Sequence, residues 1–271
     1  MKNSTSTQDT LHLTGPGKHL NFARGSYLES TSRPLYALLF LLPLVIVYEI
    51  GALTVNTDQI AHTQSRVATF TWLLAVAQWI GMNRTLIWAF PGLVVALILF
   101  CWHMVSHDPW HVRVKWIGGM AVESVLMTLP LFLLGSIMQS SLNFAAASPV
   151  SSYLADLTTS IGAGIYEELV FRFILMGLII MFMEDLVKAK KTTAVFVAVG
   201  LSALLFAAHH YVGIENGHFR AISSEQFTAP SFIFRTMAGV YFALLFRYRG
   251  FGIIAGTHAA YDMINFTLKL F

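Results

Sequence analysis

Long apolar runs separated by short polar segments dominate the chain after residue 34. An α-helix needs roughly 20 mostly apolar residues to cross a bilayer. Seven runs approach that length, at about residues 35–55, 86–104, 117–138, 158–183, 192–211, 230–247 and 251–270. An eighth run, residues 67–80, is shorter. The pattern predicts an all-α, polytopic membrane helix bundle with seven or eight transmembrane helices.

Composition supports a membrane protein and limits its partners. The chain of 271 residues is 56% hydrophobic and 11% charged, which is too apolar for an ordinary soluble domain of this length. We expect residues 1–33 to form a polar tail without the apolar core of a signal peptide, and residues 34–271 to form one membrane domain. The small formal charge of +3 gives no reason to expect a nucleic-acid partner. We therefore expect an integral, multi-pass protein of the lipid bilayer, in the plasma membrane if its source is prokaryotic.

Basic residues suggest the orientation of the helices. Four groups fall on one side of the predicted bundle: Lys2, Lys18, Arg24 and Arg33; Arg113 and Lys115; Lys188, Lys190 and Lys191; Arg247 and Arg249. The positive-inside rule makes that side cytoplasmic. The alternation closes only if residues 67–80 form an interfacial or re-entrant helix; if they cross, the bundle has eight helices.

Several polar residues in apolar runs are expected to be structural. Three histidines lie four residues apart: His103, His107 and His111. Pro109 interrupts any helix that would align them, and we interpret them as residues of the membrane boundary.

Glu49 and Glu123 are interpreted as interhelical hydrogen-bonding groups or cavity lining. Cys101, the one cysteine, excludes an intramolecular disulfide and a zinc site built on several thiolates.

The sequence IYEELVFRF, residues 165–173, places three charges in a run that otherwise resembles a membrane helix. Charges at such depth usually face a protein interior or a water-filled cavity. Glu168 and Arg172 are four residues apart, so they can form an ion pair on one helix face. Glu167 points elsewhere and is left without this partner. Taken alone, the cluster also fits a clamp between packed helices.

Two later apolar runs carry further polar residues. Phe206 and His210 are four residues apart, with His209 beside His210, and His258 and Asp262 share the same spacing. Residues four apart lie on one helix face. A glutamate, two histidines and an aspartate on three helices could orient a water, remove its proton and stabilise an oxyanion. The pattern favours a polar intramembrane cavity in which hydrolysis occurs.

These motifs, in this order, resemble the CAAX protease and bacteriocin-processing family of intramembrane glutamic endopeptidases, which includes the Ras-converting-enzyme type. The motifs are Glu167-Glu168-x-x-x-Arg172, Phe206-x-x-x-His210 and His258-x-x-x-Asp262. The resemblance covers about residues 150–271. It implies a bundle of about eight helices around a cavity, and an endopeptidase without a cofactor or metal. Its substrate would be a peptide or protein, with lipidated and membrane-embedded substrates both allowed.

The resemblance also implies a role for each motif residue. Glu167 would be the general base that activates water, with His210 helping to position that water. His258 and Asp262 would contact the oxyanion. Glu168 and Arg172 would support Glu167, and Phe206 would support the second motif.

One position departs from the family pattern. Prenyl-protein proteases of this kind typically carry Asn at the position of Asp262. An ionised Asp cannot donate a hydrogen bond to an oxyanion. Asp262 would then either orient His258 or remain neutral through burial, and the inference to prenylated substrates is weaker.

Other functions remain open at this level. Zinc on His210, His258 and either Glu167 or Asp262 would give a membrane metalloprotease. Intramembrane charges also mark transporters, and a non-enzymatic scaffold or immunity protein could share the fold.

The helix pattern places Glu167 and the histidines at different depths in the membrane. We expect a helix extended into residues 211–229 to bring His210 closer.

Overall fold

In a computed structural model of the chain, the described residues are 22–23, 25–58, 63–64, 67–83, 87–138, 150–215, 218–221 and 227–268. Most of the predicted tail therefore lies outside the described residues. Within them the fold is helical, with two short antiparallel hairpins. Strand β1 (Thr57–Asp58) pairs with β2 (Thr63–Gln64), and β3 (Val212–Glu215) pairs with β4 (His218–Ala221).

The helices follow the apolar runs. They are α1 (Tyr27–Thr31), α2 (Pro34–Thr54), α3 (Ala68–Trp79), α4 (Phe90–Ser106), α5 (Val114–Leu126), α6 (Leu129–Met138), α7 (residues 150–186), α8 (Lys191–His209), α9 (Ala229–Arg249) and α10 (Phe251–Leu268). Prolines lie in the first turn of several helices, where the backbone N–H that proline lacks would have no partner within the helix. Pro34 is the first residue of α2, and Pro91 and Pro230 are the second residues of α4 and α9.

Four helical stretches of the described residues are long and apolar enough to cross a membrane: Pro34–Thr54, Val114–Met138, Lys191–His209 and Ala229–Arg249. A shorter apolar helix, Phe90–Ser106, accompanies them. Large apolar side chains are exposed on the outer faces of these helices, among them Ile50, Leu97 and Phe196. Such apolar side chains are stable on a surface that contacts lipid tails. The chain is therefore an integral, multi-pass membrane protein.

Residues 67–80 form a helix that is too short to cross. Helix α3 has 12 residues, so its length is about 18 Å at 1.5 Å per residue. The hydrocarbon core of a bilayer is about 30 Å thick. The length agrees with an interfacial or re-entrant helix, and α3 packs against α4 and α7.

Helix α7 is wider than a regular α-helix along much of its length. It is α-helical over Val150–Gly162 and Met176–Met181, but π-helical over Ala163–Glu167, Leu169–Leu175 and Phe182–Leu186. A π-helix pairs each N–H with the carbonyl five residues earlier and often occurs at functional sites. The first two π-helical segments flank Glu168.

Helix α10 occupies the centre of the bundle. Residues 251–259 are buried, and the helix packs against α2, α5, α7 and α9. Gly250 separates it from α9 in a left-handed conformation, with φ of +82°, which glycine adopts without steric cost. The resulting tight turn places α9 and α10 side by side and holds His258 inside the protein.

A buried polar network joins α1 to the bundle. Arg249 donates to both oxygens of Glu123, at 2.5 and 2.8 Å, and to the carbonyl of Leu28 at 2.9 Å. The Tyr27 hydroxyl also donates to Glu123, at 2.7 Å. The interpretation of Glu123 as an interhelical hydrogen-bonding group is confirmed. Glu49 likewise accepts a hydrogen bond from Tyr166 between α2 and α7, at 3.3 Å.

Two local expectations can be compared with the backbone. Helix α4 ends at Ser106 and His107 is left-handed, so His103, His107 and His111 do not share a helix face. The expected extension of α8 into residues 211–229 is wrong, because α8 ends at His209 and β3 and β4 form a hairpin there. β-Branched Val212 and Ile214 favour a strand over a helix.

Candidate active site

The two carboxylates of the first motif lie deep in the protein. Glu167 ends one π-helical segment of α7, and Glu168 precedes the next. Glu167 is 6% exposed and Glu168 is fully buried. A buried carboxylate needs an opposite charge or hydrogen-bond donors to offset its lost hydration. The partners of the two glutamates differ.

Glu168 is paired on both of its oxygens. Its Oε2 lies 3.1 Å from Nε of Arg172, and both side chains are fully buried. Its Oε1 lies 2.7 Å from Nδ1 of His258. Arg172 also donates to the carbonyl of Gly239 on α9, at 3.3 Å. The predicted Glu168–Arg172 ion pair is confirmed, and the pair is tied to α9 and α10.

Phe206 supports this pair and the second motif. The guanidinium carbon of Arg172 lies 4.1 Å from the centre of the Phe206 ring, a cation–π contact that partly replaces the hydration of a buried cation. The backbone carbonyl of Phe206 contacts Nδ1 of His209 and, at 2.9 Å, Nδ1 of His210. Because a carbonyl only accepts, both Nδ1 atoms donate, which leaves each Nε2 for another partner.

Glu167 is surrounded by histidines. Its Oε1 lies 3.4 Å from Nε2 of His209, and its Oε2 lies 3.9 Å from Nε2 of His258. One ligand atom each from Glu167, His209 and His210 lies within 4.8 Å of the others. The predicted convergence of Glu167 with His210 and His258 therefore occurs, although the motifs are far apart in sequence. It does not require a longer α8.

These three residues could also hold a cation. A carboxylate and two imidazoles are ligands that zinc accepts. Among the described residues, Glu167, His209 and His210 form such a group. This set differs from the predicted alternative, because His209 takes the place assigned to His258.

His258 lies between the two glutamates and Asp262. Its Nδ1 contacts Glu168, and its Nε2 lies 3.6 Å from Oδ2 of Asp262. Asp262 is one helical turn beyond His258 on α10, as the spacing predicted. Its side chain is 26% exposed, so Asp262 is less buried than His258 and the two glutamates.

The sequence interpretation missed two contacts of the site. The sequence pattern singles out His209 only as the neighbour of His210, yet its ring is the histidine nearest to Glu167. Trp72 of α3 lies edge-on to His209, with ring centres 6.0 Å apart. The tandem His209-His210 is a usable signal, because adjacent residues at a helix end can both reach one site. Nothing in the α3 sequence marks Trp72.

Small residues bring the helices of the site together. A Cβ atom on Gly164 of α7 would lie 2.5 Å from the carbonyl oxygen of Ala255 and 2.6 Å from the nitrogen of Ala259, both on α10. Gly239 of α9 similarly meets Ala203 of α8. Such close approaches are typical of packed membrane helices, and the first one lies three residues from Glu167 and next to His258.

Comparison with known proteins gives one match. The sequence model of the family described as type II CAAX prenyl endopeptidase, Rce1-like, matches residues 149–264. No curated protein and no solved structure matches the chain. The matched segment contains the whole buried cluster of glutamates, arginine and histidines. Over residues 149–264, a little under half of its length, the chain is therefore similar to a family of endopeptidases.

Proposed function

We propose that this protein is an intramembrane endopeptidase that hydrolyses a peptide bond with a water activated by Glu167. The observation that carries the proposal is the separation of the two glutamates. Glu168 is paired with Arg172 and His258, whereas the contacts of Glu167 within 4.0 Å among the described residues are with the histidines His209 and His258. A carboxylate without a structural ion pair is suited to accept a proton.

The attacking water would lie among Glu167, His209 and His210. Atoms within 4.8 Å of one another can all reach one water, since each hydrogen bond spans about 2.6–3.2 Å. Nε2 of His210 can accept a hydrogen bond from that water while its Nδ1 donates to the carbonyl of Phe206. Glu167 would take the proton as the oxygen attacks the carbonyl carbon, and would then deliver it to the departing amine.

His258 would stabilise the developing oxyanion through Nε2. A donor at Nε2 requires the doubly protonated ring, because Nδ1 already donates to Glu168. Three carboxylates near the ring favour that form: Glu167, Glu168 and Asp262. Asp262 would orient His258 rather than donate to the oxyanion itself. The proposal accommodates Asp at a position where prenyl-protein proteases typically carry Asn.

The proposed architecture is one membrane domain, residues 34–271, with seven or eight membrane helices around a polar cavity. Helix α7 and helix α10 would cross in addition to the long apolar helices. The partial exposure of Asp262 supports access of water to the buried cluster. Positive residues at the ends of α7 and α9 support a cytoplasmic location for those ends.

The proposed substrate is a peptide or protein, either lipidated or embedded in the membrane. Comparative proteomics can identify it. Membranes from cells carrying the wild-type protein are compared with membranes carrying Glu167→Ala. We expect at least one peptide product to disappear in the variant. Identical peptide profiles, together with equal cleavage of a farnesylated CAAX peptide by both proteins, would refute the proposal.

A zinc-dependent protease is a second candidate, favoured by the spacing of Glu167, His209 and His210. Zinc would polarise the bound water in place of direct proton removal by Glu167. Exhaustive chelation distinguishes the two. Retained cleavage with no metal in the purified protein supports the glutamate mechanism, whereas loss of cleavage that returns with added zinc supports the metal mechanism.

A further inference from the structure

Of the two ring nitrogens of His258, only Nδ1 makes a short hydrogen bond to a described residue. Nδ1 is fixed 2.7 Å from Glu168, while Nε2 lies 3.9 Å from Glu167 and 3.6 Å from Asp262. Hydrogen bonds tolerate a broad range of angles. A single short hydrogen bond therefore leaves the plane of the ring free to tilt, and a tilt moves Nε2 away from a bound carbonyl.

Phe242 of α9 covers one face of this ring. The Phe242 and His258 rings are stacked, with their centres 4.7 Å apart and their planes at 19°. Phe206 meets His258 edge-on, at 5.8 Å and 73°. Offset stacked and edge-to-face arrangements are the favoured geometries for aromatic pairs. The two phenyl rings together restrict the tilt that the hydrogen bond to Glu168 permits.

Phe242 is itself fixed in place. It is 2% exposed, and the guanidinium of Arg172 lies 5.6 Å from its ring centre. The Phe206 ring lies 6.4 Å away, nearly perpendicular to it. Close-packed protein interiors hold side chains in rotamer minima. A fixed ring is required of any residue that positions another.

We propose that Phe242 is a positioning residue that orients His258 for oxyanion stabilisation, an inference that rests on the proposed peptidase function. Phe242 lies outside the three sequence motifs. Its proposed action is through the plane of the His258 ring, against which it stacks. A planar aromatic side chain is required at this position, whereas apolar volume alone is insufficient.

Kinetics of three variants at this position test the proposal. Phe242→Leu and Phe242→Met keep an apolar side chain but remove the flat ring, and Phe242→Tyr keeps the ring. With a farnesylated, internally quenched CAAX peptide as the probe, we expect kcat to fall about 10- to 100-fold for Leu and Met with little change in KM, since a misplacement of about 1 Å costs on the order of 100-fold. We expect Tyr to retain most of the wild-type kcat.

The matched control is Phe251→Leu on α10. Phe251 is 1% exposed and packs against Phe173 rather than His258, so this variant removes the same ring from another part of the core. We expect it to lower the unfolding temperature as Phe242→Leu does while kcat stays near the wild-type value. Wild-type kcat for Phe242→Leu, or a Phe242→Tyr variant as slow as Phe242→Leu, would overturn the proposal.

A measurement without turnover separates this inference from the proposed function. In protein labelled with ¹⁵N-histidine, the His258 signals are assigned by comparison with His258→Gln. We expect one sharp Nδ1 signal in the wild type and in Phe251→Leu, and a broadened or doubled signal in Phe242→Leu. An unchanged signal would overturn the positioning role even if peptide hydrolysis by Glu167 stands. Wild-type hydrolysis by Glu167→Gln would overturn the proposed function. The ¹⁵N signal of His258 would still show whether Phe242 fixes the orientation of that ring.

Discussion

Placing a methyl group on Gly164 should separate the two helices that carry the proposed base and the proposed oxyanion donor. The new Cβ of Gly164→Ala would lie 2.5 Å from the carbonyl oxygen of Ala255 and 2.6 Å from the nitrogen of Ala259. Both are backbone atoms, so no side-chain rotation relieves the contact. Helix α7 or helix α10 has to move.

The size of the movement follows from the contact distance. Favourable contacts between heavy atoms lie at about 3.5–4.0 Å, so the helices must separate by about 1 Å at Gly164. Glu167 is less than one helical turn from Gly164, and His258 is adjacent to Ala259. The present 3.9 Å between Glu167 and His258 would lengthen accordingly. A misplacement of about 1 Å costs on the order of 100-fold in rate, and overpacking costs about 1–3 kcal/mol of stability.

The assay measures kcat on a farnesylated CAAX peptide and the unfolding temperature in detergent. Gly177→Ala is the matched control, because Gly177 lies on the same helix and a Cβ added there would meet open space, with no described atom of another helix within 4 Å. We expect Gly177→Ala to be as active and at least as stable as the wild type, since alanine favours a helix by about 1 kcal/mol over glycine. A Gly164→Ala variant with wild-type kcat would refute the reasoning that this contact sets the site geometry.

Three further predictions concern charged residues. Glu168→Gln should destabilise the protein by about 3 kcal/mol or more, because it leaves a buried arginine without its carboxylate; an unfolding temperature equal to the wild type would contradict this. Glu123→Leu should likewise destabilise the protein, and adding Arg249→Leu should restore part of the loss in the same thermal assay, since the double variant leaves no unpaired charge. Asp262→Asn should keep activity within about tenfold, whereas Asp262→Leu should lose about 100-fold, the magnitude expected if His258 loses its contact with the oxyanion; equal rates for the two variants would show that polarity at this position is irrelevant.

Sequence spacing is sufficient to predict the contacts of the site between residues of the same helix. The i to i+4 spacing predicts the pairing of Glu168 with Arg172 and places Asp262 beside His258, and both contacts are present. Apolar runs predict the helices, because hydrophobic length is a direct physical requirement of a membrane span. Even the short α3 helix follows from the length of its apolar run.

Contacts between helices cannot be read from spacing. The hydrogen bond from His258 to Glu168 and the approach of His209 to Glu167 depend on how α7, α8 and α10 pack. The spacing argument takes α7 as a regular α-helix, whereas π-helical segments flank Glu168 and alter the directions of both glutamates. A single sequence gives no direct signal for a π-helical segment.

The hairpin after α8 differs from the prediction for another reason. The polar pattern of residues 211–229 suggests an extended helix that would bring His210 nearer to Glu167. The structure achieves this proximity by helix packing, with the last turn of α8 placed beside α7 and the chain continuing as β3 and β4. Val212, Ile214 and the Asn216-Gly217 dipeptide are the available sequence signals for a hairpin.

The most direct test of the account is the kcat of purified Glu167→Gln in proteoliposomes, measured beside the wild type on the same farnesylated CAAX peptide. Glutamine preserves the size of the side chain and removes its ability to accept the proton of water. The account predicts a loss of at least about 100-fold, the lower range for a general base, with an unfolding temperature close to that of the wild type. Wild-type kcat in this variant would contradict the assignment of Glu167 as the residue that activates water.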